Sequence, residues 1–136
     1  MEWVFDASVT MAWCFDDERT PETDAMLDRL LLPSPAVVAQ IWPLEIVNVL
    51  VMAYRKGRIT VARGQQFLAT MQCAPVAVDR CPITTVFNEV MLLADKYHLT
   101  AYDASYLELA MRLGVPLATL DRDLRKAAVA AGIQLL

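Results

Sequence analysis

Two patterns of hydrophobic residues alternate along this chain. Short apolar runs without a polar side, typical of strands buried on both faces, are separated by longer runs with the three-to-four-residue spacing of helices. The strand-like runs are residues 3–5, 35–38, 75–78, 117–119 and 133–135. The last of these is too short to be stable unless it pairs with a neighbour.

The helix-like runs carry recognisable start and stop signals. Thr20 followed by Pro21 is typical of a helix beginning, and Gly57, Gly114 and Gly132 each follow a run that they are suited to end. The predicted helices are residues 8–15, 20–31, 43–55, 60–73, 83–97, 102–113 and 121–131. Alternation of this kind predicts an α/β fold, with a parallel sheet covered by helices on both faces.

Length and composition are consistent with one domain spanning residues 1–136, whose hydrophobic fraction is 57% and mean hydropathy +0.37. A sheet buried on both faces would explain so high a value, and so would an apolar surface reserved for a partner. A groove for a partner helix could be lined by side chains of the first two helices, although ordinary core packing is the alternative for each. These side chains are Met11, Trp13, Phe15, Met26, Leu27, Leu30 and Leu31.

The apolar content does not predict a membrane span. The longest uncharged stretches, residues 30–44 and 64–78, are interrupted by prolines and are shorter than the roughly 20 residues that a span needs. No signal peptide is expected, because the chain opens with an acid and its first base is Arg19. The three cysteines form no C-x-x-C pair and suit buried thiols in a reducing cytoplasm.

Four carboxylates stand where the chain changes from one element to the next. Asp6 and Asp121 follow strand-like runs, and Glu45 and Asp103 lie in the first turns of helix-like runs. In an open parallel sheet, residues beyond the carboxyl ends of neighbouring strands share one crevice. Acids that converge without basic partners repel one another, and a hard divalent metal held by oxygen ligands would relieve that repulsion. The pattern therefore favours metal-dependent phosphodiester chemistry.

Each acid also has a local explanation. Asp6 could cap the helix that follows it, and Glu45 could be stabilised by the dipole of its helix. Asp103 follows Thr100 at the spacing of a capping box. Its position at the head of an apolar helical stripe, and the apolar neighbours of Glu45, argue for a buried role instead.

Either Asp121 or Asp123 could cap the last helix, and we favour Asp121 as the metal ligand because it is nearer the end of the strand. Polar side chains that could support the four acids are Ser8, Asn48, Thr119 and Asp123.

The net charge of −4 comes from 16 acids and 12 bases, so without the four acids the chain would be neutral. A globally basic surface for nucleic acid is absent. Any nucleic-acid substrate would depend on the metal and on local bases beside Asp121, for which a solvated helix face is the alternative. These bases are Arg122, Arg125 and Lys126.

Four segments together resemble the PIN-domain ribonucleases, particularly the VapC-type toxins of prokaryotic toxin–antitoxin pairs. They are VFDAS at 4–8, PLEIVNVL at 43–50, LTAYDASYLELA at 99–110 and ATLDRDL at 118–124. The resemblance spans the chain in the right order, and it is weakest over residues 58–86.

This resemblance implies a PIN-like sheet of five strands in the order 3-2-1-4-5. It also implies Mg²⁺ or Mn²⁺ held by Asp6, Glu45, Asp103 and Asp121, which would make these the catalytic residues. The implied activity is endonucleolytic cleavage of RNA, and the implied partners are a second copy of the chain and a cognate antitoxin protein.

Two other functions are compatible with a doubly wound sheet. A phospho-receiver signalling domain would use an acceptor aspartate after the third strand, where Asp79 stands, but the acidic pair expected after its first strand is missing. A catalytically inactive interaction module with the same fold is the other alternative.

Overall fold

A four-stranded, fully parallel sheet organises the computed structural model, which describes residues 2–136. The order of its strands is β3-β2-β1-β4. In register, Val4 of β1 pairs with Val37 of β2 on one side and with Leu117 of β4 on the other. The strands are β1 (Trp3–Phe5), β2 (Ala36–Val38), β3 (Val76–Val78) and β4 (Leu117–Ala118).

The central strand is covered on both sides. Trp3, Val4 and Phe5 are each 0% exposed, and successive side chains of a strand point to opposite faces. Burial of both faces therefore accounts for much of the high hydropathy, as the sequence predicted. The edge strand β3 is less buried than β1, β2 and β4.

Across residues 2–136, eight α-helical segments connect and cover the strands. They are α1 (Ala7–Cys14), α2 (Pro21–Leu30), α3 (Trp42–Arg55), α4 (Val61–Cys73), α5 (Ile83–Thr85), α6 (Met91–Tyr97), α7 (Ala101–Leu113) and α8 (Arg122–Ala130). A short 3₁₀ turn, Asp16–Glu18, precedes α2. Within residues 2–136, none of the helices has the length and apolar content needed to cross a membrane.

The predicted helix over residues 83–97 is interrupted. A π-helical turn, Val86–Val90, joins α5 to α6 and adds a residue to the turn, which rotates the side chains after it. Large apolar side chains around it stay exposed and form what we call the α5–α6 surface. Its members are Ile83, Phe87, Met91 and Leu92, which are 65–71% exposed.

The predicted fifth strand is wrong in its extent. Residues 133–135 form only an isolated parallel bridge, between Leu135 and Leu117. Two hydrogen bonds hold it: Leu117 N–H donates to Gln134 O at 2.9 Å, and Leu136 N–H donates to Leu117 O at 3.0 Å. Because β4 is only two residues long, this edge segment has little to pair with. It nevertheless lies beside β4, where the order 3-2-1-4-5 places a fifth strand.

The predicted groove in the first two helices is also wrong. Met11, Trp13, Phe15, Met26 and Leu30 are all buried in the core. Leu27 is partly buried against that core, and of the predicted set only Leu31 is strongly exposed. These side chains therefore serve packing, and the exposed apolar area lies instead on the α5–α6 surface.

Two adjacent leucines give a matched test of this packing. Leu30 is 1% exposed and Leu31 is 75% exposed. We expect Leu30→Ala to lower the free energy of unfolding by about 2–5 kcal/mol, because it leaves a cavity in the core. Leu31→Ala should change it by less than about 0.5 kcal/mol. Urea unfolding followed by circular dichroism measures both, and similar losses in the two variants would contradict the assignment of the core.

Candidate metal centre

Asp6 lies at the carboxyl end of β1 and is 3% exposed. Its Oδ1 accepts hydrogen bonds from Ser8 Oγ at 2.6 Å and from Val9 N–H at 3.3 Å, so it caps α1. Its Oδ2 accepts a short hydrogen bond from the Thr119 hydroxyl. The capping role predicted as an alternative is therefore real, and it fixes the carboxylate in the crevice rather than removing it.

Two hydroxyls join the loop after β1 to the loop after β4. Thr119 Oγ1 accepts the Asp121 N–H at 3.0 Å, while donating to Asp6. Ser8 Oγ accepts the Leu120 N–H at 2.9 Å. Ser8 and Thr119 were both predicted to support the acids, and these bonds hold the segments that carry Asp6 and Asp121 side by side.

Thr119 is fully buried, so its hydroxyl is hard to replace. We expect Thr119→Val, which keeps the shape, to lower the free energy of unfolding by about 1–3 kcal/mol, because the Asp121 N–H and a buried Asp6 oxygen each lose a partner. Thermal unfolding measures the loss. Thr70→Val, which removes an exposed hydroxyl in α4, is the control and should be near neutral. An equal loss of stability in the two variants would contradict the role of Thr119 in holding the loops after β1 and β4 together.

Asp121 is the cap of the last helix. Its Oδ1 accepts the Leu124 N–H at 2.8 Å, whereas Asp123 is exposed in the first turn of α8. The structure therefore assigns the cap to the residue that we favoured as a ligand. Oδ2 of Asp121 forms no hydrogen bond with any part of residues 2–136, so the capping bond leaves one oxygen available.

Glu45 and Asp103 enter the crevice from the first turns of α3 and α7. Thr100 caps α7 by accepting the Asp103 N–H at 3.1 Å. Only this half of the predicted capping box forms within the described chain, so the Asp103 carboxylate is not used to close it. Asn48 is exposed and lines a hollow of about 310 Å³ together with Glu45.

Sequence reasoning missed Tyr106. Its hydroxyl donates to Oε1 of Glu45 at 2.6 Å, and burial, followed by this hydrogen bond and by the charge of Glu45, raises the pKa of the phenol far above its ordinary value. The available signal was its spacing, since Tyr106 lies three residues after Asp103 and therefore on the same side of α7.

The acids perturb one another. Burial, followed by the charges of Asp121 and Asp6, raises the pKa of Asp103 from 3.8 to about 6. Burial also raises the pKa of Glu45, and the charges of Asp6 and Asp103 add to that rise. The pKa of Asp6 is raised mainly by burial and partly by Asp121, against the lowering effect of its hydrogen bonds. Each of the four acids therefore lies within electrostatic range of at least two of the others.

No positive side chain neutralises this cluster in the part of the chain that the structure describes. The ion pairs formed there by Arg19, Arg58 and Arg112 use other carboxylates. Among residues 2–136, however, no three carboxylate, histidine or cysteine side chains stand close enough to hold a metal as they are. Oxygen ligands alone suit Mg²⁺ or Mn²⁺, and binding would require the separated acids to turn toward one another.

The three bases predicted to bind phosphate differ in their exposure and in their hydrogen bonds. Arg125 is half-buried, and its Nη1 donates to the Thr119 carbonyl at 3.0 Å, so it braces the loop after β4. Arg122 and Lys126 are exposed on α8 near Asp121. Only these two therefore present free charge beside the acids.

Comparison with known proteins gives matches over most of the chain. The family model described as "PIN domain" matches residues 3–130. The chain is 30% identical over 118 residues to Ribonuclease VapC9 of Mycobacterium tuberculosis, which covers 87% of this chain and 84% of that protein. The crystal structure of PAE2754 from Pyrobaculum aerophilum has a TM-score of 0.72 at 27% identity, over 93% of this chain and 84% of that one. A toxin–antitoxin complex from Klebsiella pneumoniae shares the fold, with a TM-score of 0.61 at 17% identity over 88% of each chain.

Proposed function

This chain belongs to the PIN-domain family and to its VapC-type branch, and from that premise we propose that it is a metal-dependent endoribonuclease, the toxin of a toxin–antitoxin pair. The observation that carries the proposal is the group of mutually repelling carboxylates without a positive partner at the carboxyl end of the sheet. These are Asp6, Glu45, Asp103 and Asp121, which we propose as the catalytic and metal-binding residues.

A bound Mg²⁺ or Mn²⁺ would supply an activated water and would offset the charge that develops on the phosphoryl oxygens. The protein contributes fixed and adjustable acids. Asp6 is fixed by three hydrogen bonds, from Ser8, Val9 and Thr119, whereas the half-buried carboxylate of Asp103 interacts with a single hydroxyl, that of Thr100. We therefore propose that Asp6 is the anchor of the site and that Asp103 adjusts to the metal.

For the RNA backbone we propose Arg122 and Lys126 as the exposed phosphate contacts, with Arg125 acting through the loop that it braces. For protein partners we propose a second copy of the chain and a cognate antitoxin. The α5–α6 surface offers the exposed apolar area that such contacts use. We also propose a cytoplasmic location, on the basis of the unpaired cysteines.

The direct test uses metal-stripped protein and structured RNA. Cleavage should be absent without metal, should appear on addition of Mg²⁺ or Mn²⁺, and should stop again on chelation. Cleavage that continues in the presence of a chelator would contradict the proposal. An antitoxin supplied by co-expression should suppress the metal-dependent activity, and an unaffected rate would remove the toxin–antitoxin part of the proposal.

One observation favours a second candidate, the inactive interaction module. Within residues 2–136, the acids are not close enough together to hold a metal as they stand. The same separation is expected in a protein that binds no metal. Calorimetric titration with Mn²⁺ separates the two, because a module without activity should bind none.

The phospho-receiver interpretation is wrong. The chain belongs to a different family, and its candidate acceptor Asp79 is held by Arg112, whose Nη2 lies 2.6 Å from Oδ2. Arg112 also pairs with the buried Glu108 on the same helix, which leaves Asp79 in a structural ion-pair network.

A further inference from the structure

A fully buried tyrosine is hydrogen-bonded to one of the four acids from across the fold. The side chain of Tyr106 is 0% exposed, and its hydroxyl donates to Oε1 of Glu45 at 2.6 Å. The two residues are 61 positions apart, on α7 and α3. This bond therefore joins the two helices that carry Glu45 and Asp103.

The core fixes the position of the phenol. Tyr106 lies in the most deeply buried part of α7, where its neighbours Ala104, Leu107, Leu109 and Ala110 are at most 1% exposed. A ring packed in this way has few alternative rotamers. Its hydroxyl is therefore a rigid donor, one helical turn after Asp103.

Glu45 needs such a restraint more than Asp6 does. Glutamate has a longer and more flexible side chain than aspartate, so more freedom must be lost to hold it in one place. Asp6 is held by two hydroxyls and a backbone N–H, whereas the phenol is the one hydrogen-bond donor to Glu45 within residues 2–136. The bond uses Oε1 and leaves Oε2 available.

We propose that Tyr106 is a positioning residue of the metal site, which holds Oε1 of Glu45 so that the other oxygen can serve as a ligand. The proposal rests on the metal-dependent function proposed above and deepens it. Tyr106 touches neither substrate nor metal, and it acts through Glu45. In addition, it ties the position of Glu45 to that of Asp103, because Tyr106 and Asp103 lie one turn apart on the same side of α7.

A purely structural role makes a different prediction. A buried phenol needs some hydrogen-bond partner, and Glu45 could be no more than that partner. Loss of the hydroxyl would then alter stability and leave metal affinity unchanged. Metal affinity measured directly, on protein without RNA, therefore separates the two roles.

The decisive variant is Tyr106→Phe, which removes the hydroxyl and keeps the ring. We expect the dissociation constant for Mn²⁺, measured by calorimetry, to rise about tenfold, since groups that orient metal ligands typically contribute 10–100-fold. RNA cleavage should need correspondingly more metal and should largely recover at saturation. Tyr54→Phe is the matched control, because it removes a half-buried phenol from the far end of α3 and should leave the Mn²⁺ affinity unchanged.

A double-mutant cycle with Glu45→Gln completes the test. If Tyr106 acts through Glu45, then Tyr106→Phe should weaken Mn²⁺ binding in the wild type and have little further effect beside Glu45→Gln. Equal losses in both backgrounds, or no loss in either, would overturn the positioning role while leaving the proposed nuclease intact. A wild-type protein that binds no Mn²⁺ would overturn both. Circular dichroism and thermal unfolding in a chelator check that each variant is folded.

Discussion

Replacing Asp103 by asparagine should abolish RNA cleavage and at the same time stabilise the metal-free protein. Cleavage at saturating Mg²⁺ or Mn²⁺ should fall by more than about 100-fold, because a direct ligand contributes more than the residues that orient it. The free energy of unfolding without metal should rise by about 1 kcal/mol at pH 7. The cause is the pKa of Asp103, raised from 3.8 to about 6, which shows that the charged form is disfavoured in the fold.

Two pKa units correspond to about 3 kcal/mol, and we reduce this to about 1 kcal/mol because Asp103 is only half-buried and solvent screens its charge. A substitution that lowers activity and raises stability is typical of a functional site, because the fold holds the groups of such a site close together although they repel one another. Single-turnover cleavage and urea unfolding in a chelator measure the two quantities.

Asp95→Asn is the matched control, because it makes the same change at an exposed acid on α6. It should alter neither cleavage nor stability beyond about 0.5 kcal/mol. An Asp103→Asn protein that cleaves RNA at the wild-type rate would remove Asp103 from the site. Loss of cleavage together with loss of stability would instead indicate that the carboxylate has a structural role.

The location of the acids could be predicted from the sequence because it follows from strand polarity. All strands are parallel, and β1 and β4 are neighbours, so Asp6 and the segment 119–121 had to meet at the same edge. Glu45 and Asp103 needed only the helix starts, which Pro43 and Thr100 mark clearly. The fold and the neighbourhood of the site are therefore encoded in local signals.

What could not be predicted depends on three-dimensional packing. The contact between Tyr106 and Glu45 joins residues 61 positions apart, and the spacing that places Tyr106 on the same side of α7 as Asp103 does not by itself distinguish it from ordinary core. The π-helical turn at Val86–Val90 replaces a turn whose sequence is compatible with a regular helix. The extent of the last edge segment was limited by the two residues of β4, which a hydrophobic pattern does not reveal.

Asp121 shows why single-residue alternatives could not be separated by sequence. Capping and metal binding were treated as competing roles for Asp121 and Asp123, yet one carboxylate has two oxygens. Asp121 uses Oδ1 for the cap, and Asp6 likewise combines a cap with a place in the crevice. At the carboxyl edge of a sheet, the helix cap and the ligand site coincide because the next helix begins there.

The stability of the protein should depend on pH in opposite ways with and without metal. Without metal, the raised pKa of Asp103 means that the folded state takes up a proton that the unfolded state does not, between about pH 6 and the ordinary value of 3.8, and the raised pKa values of Asp6 and Glu45 act in the same direction. The penalty for the charged form of Asp103 is present in full well above pH 6, and it is relieved as the carboxylate becomes protonated. The unfolding temperature in a chelator should therefore rise as the pH is lowered from 7 to about 5.

With saturating Mn²⁺ the unfolding temperature should instead fall as the pH is lowered, because protons compete with the metal for the same oxygens. The metal should raise the unfolding temperature most at pH 7 to 8, and this gain should disappear near pH 5 as the acids take up protons. Differential scanning fluorimetry at a series of pH values, with Mn²⁺ and with chelator, measures both curves. In Asp103→Asn the two curves should lie close together, because a proposed metal ligand is gone and Mn²⁺ then stabilises the fold little. A wild-type gain from Mn²⁺ that is the same at pH 5 and pH 7 would show that the metal binds elsewhere, since only a site built from these acids must lose its metal as they are protonated.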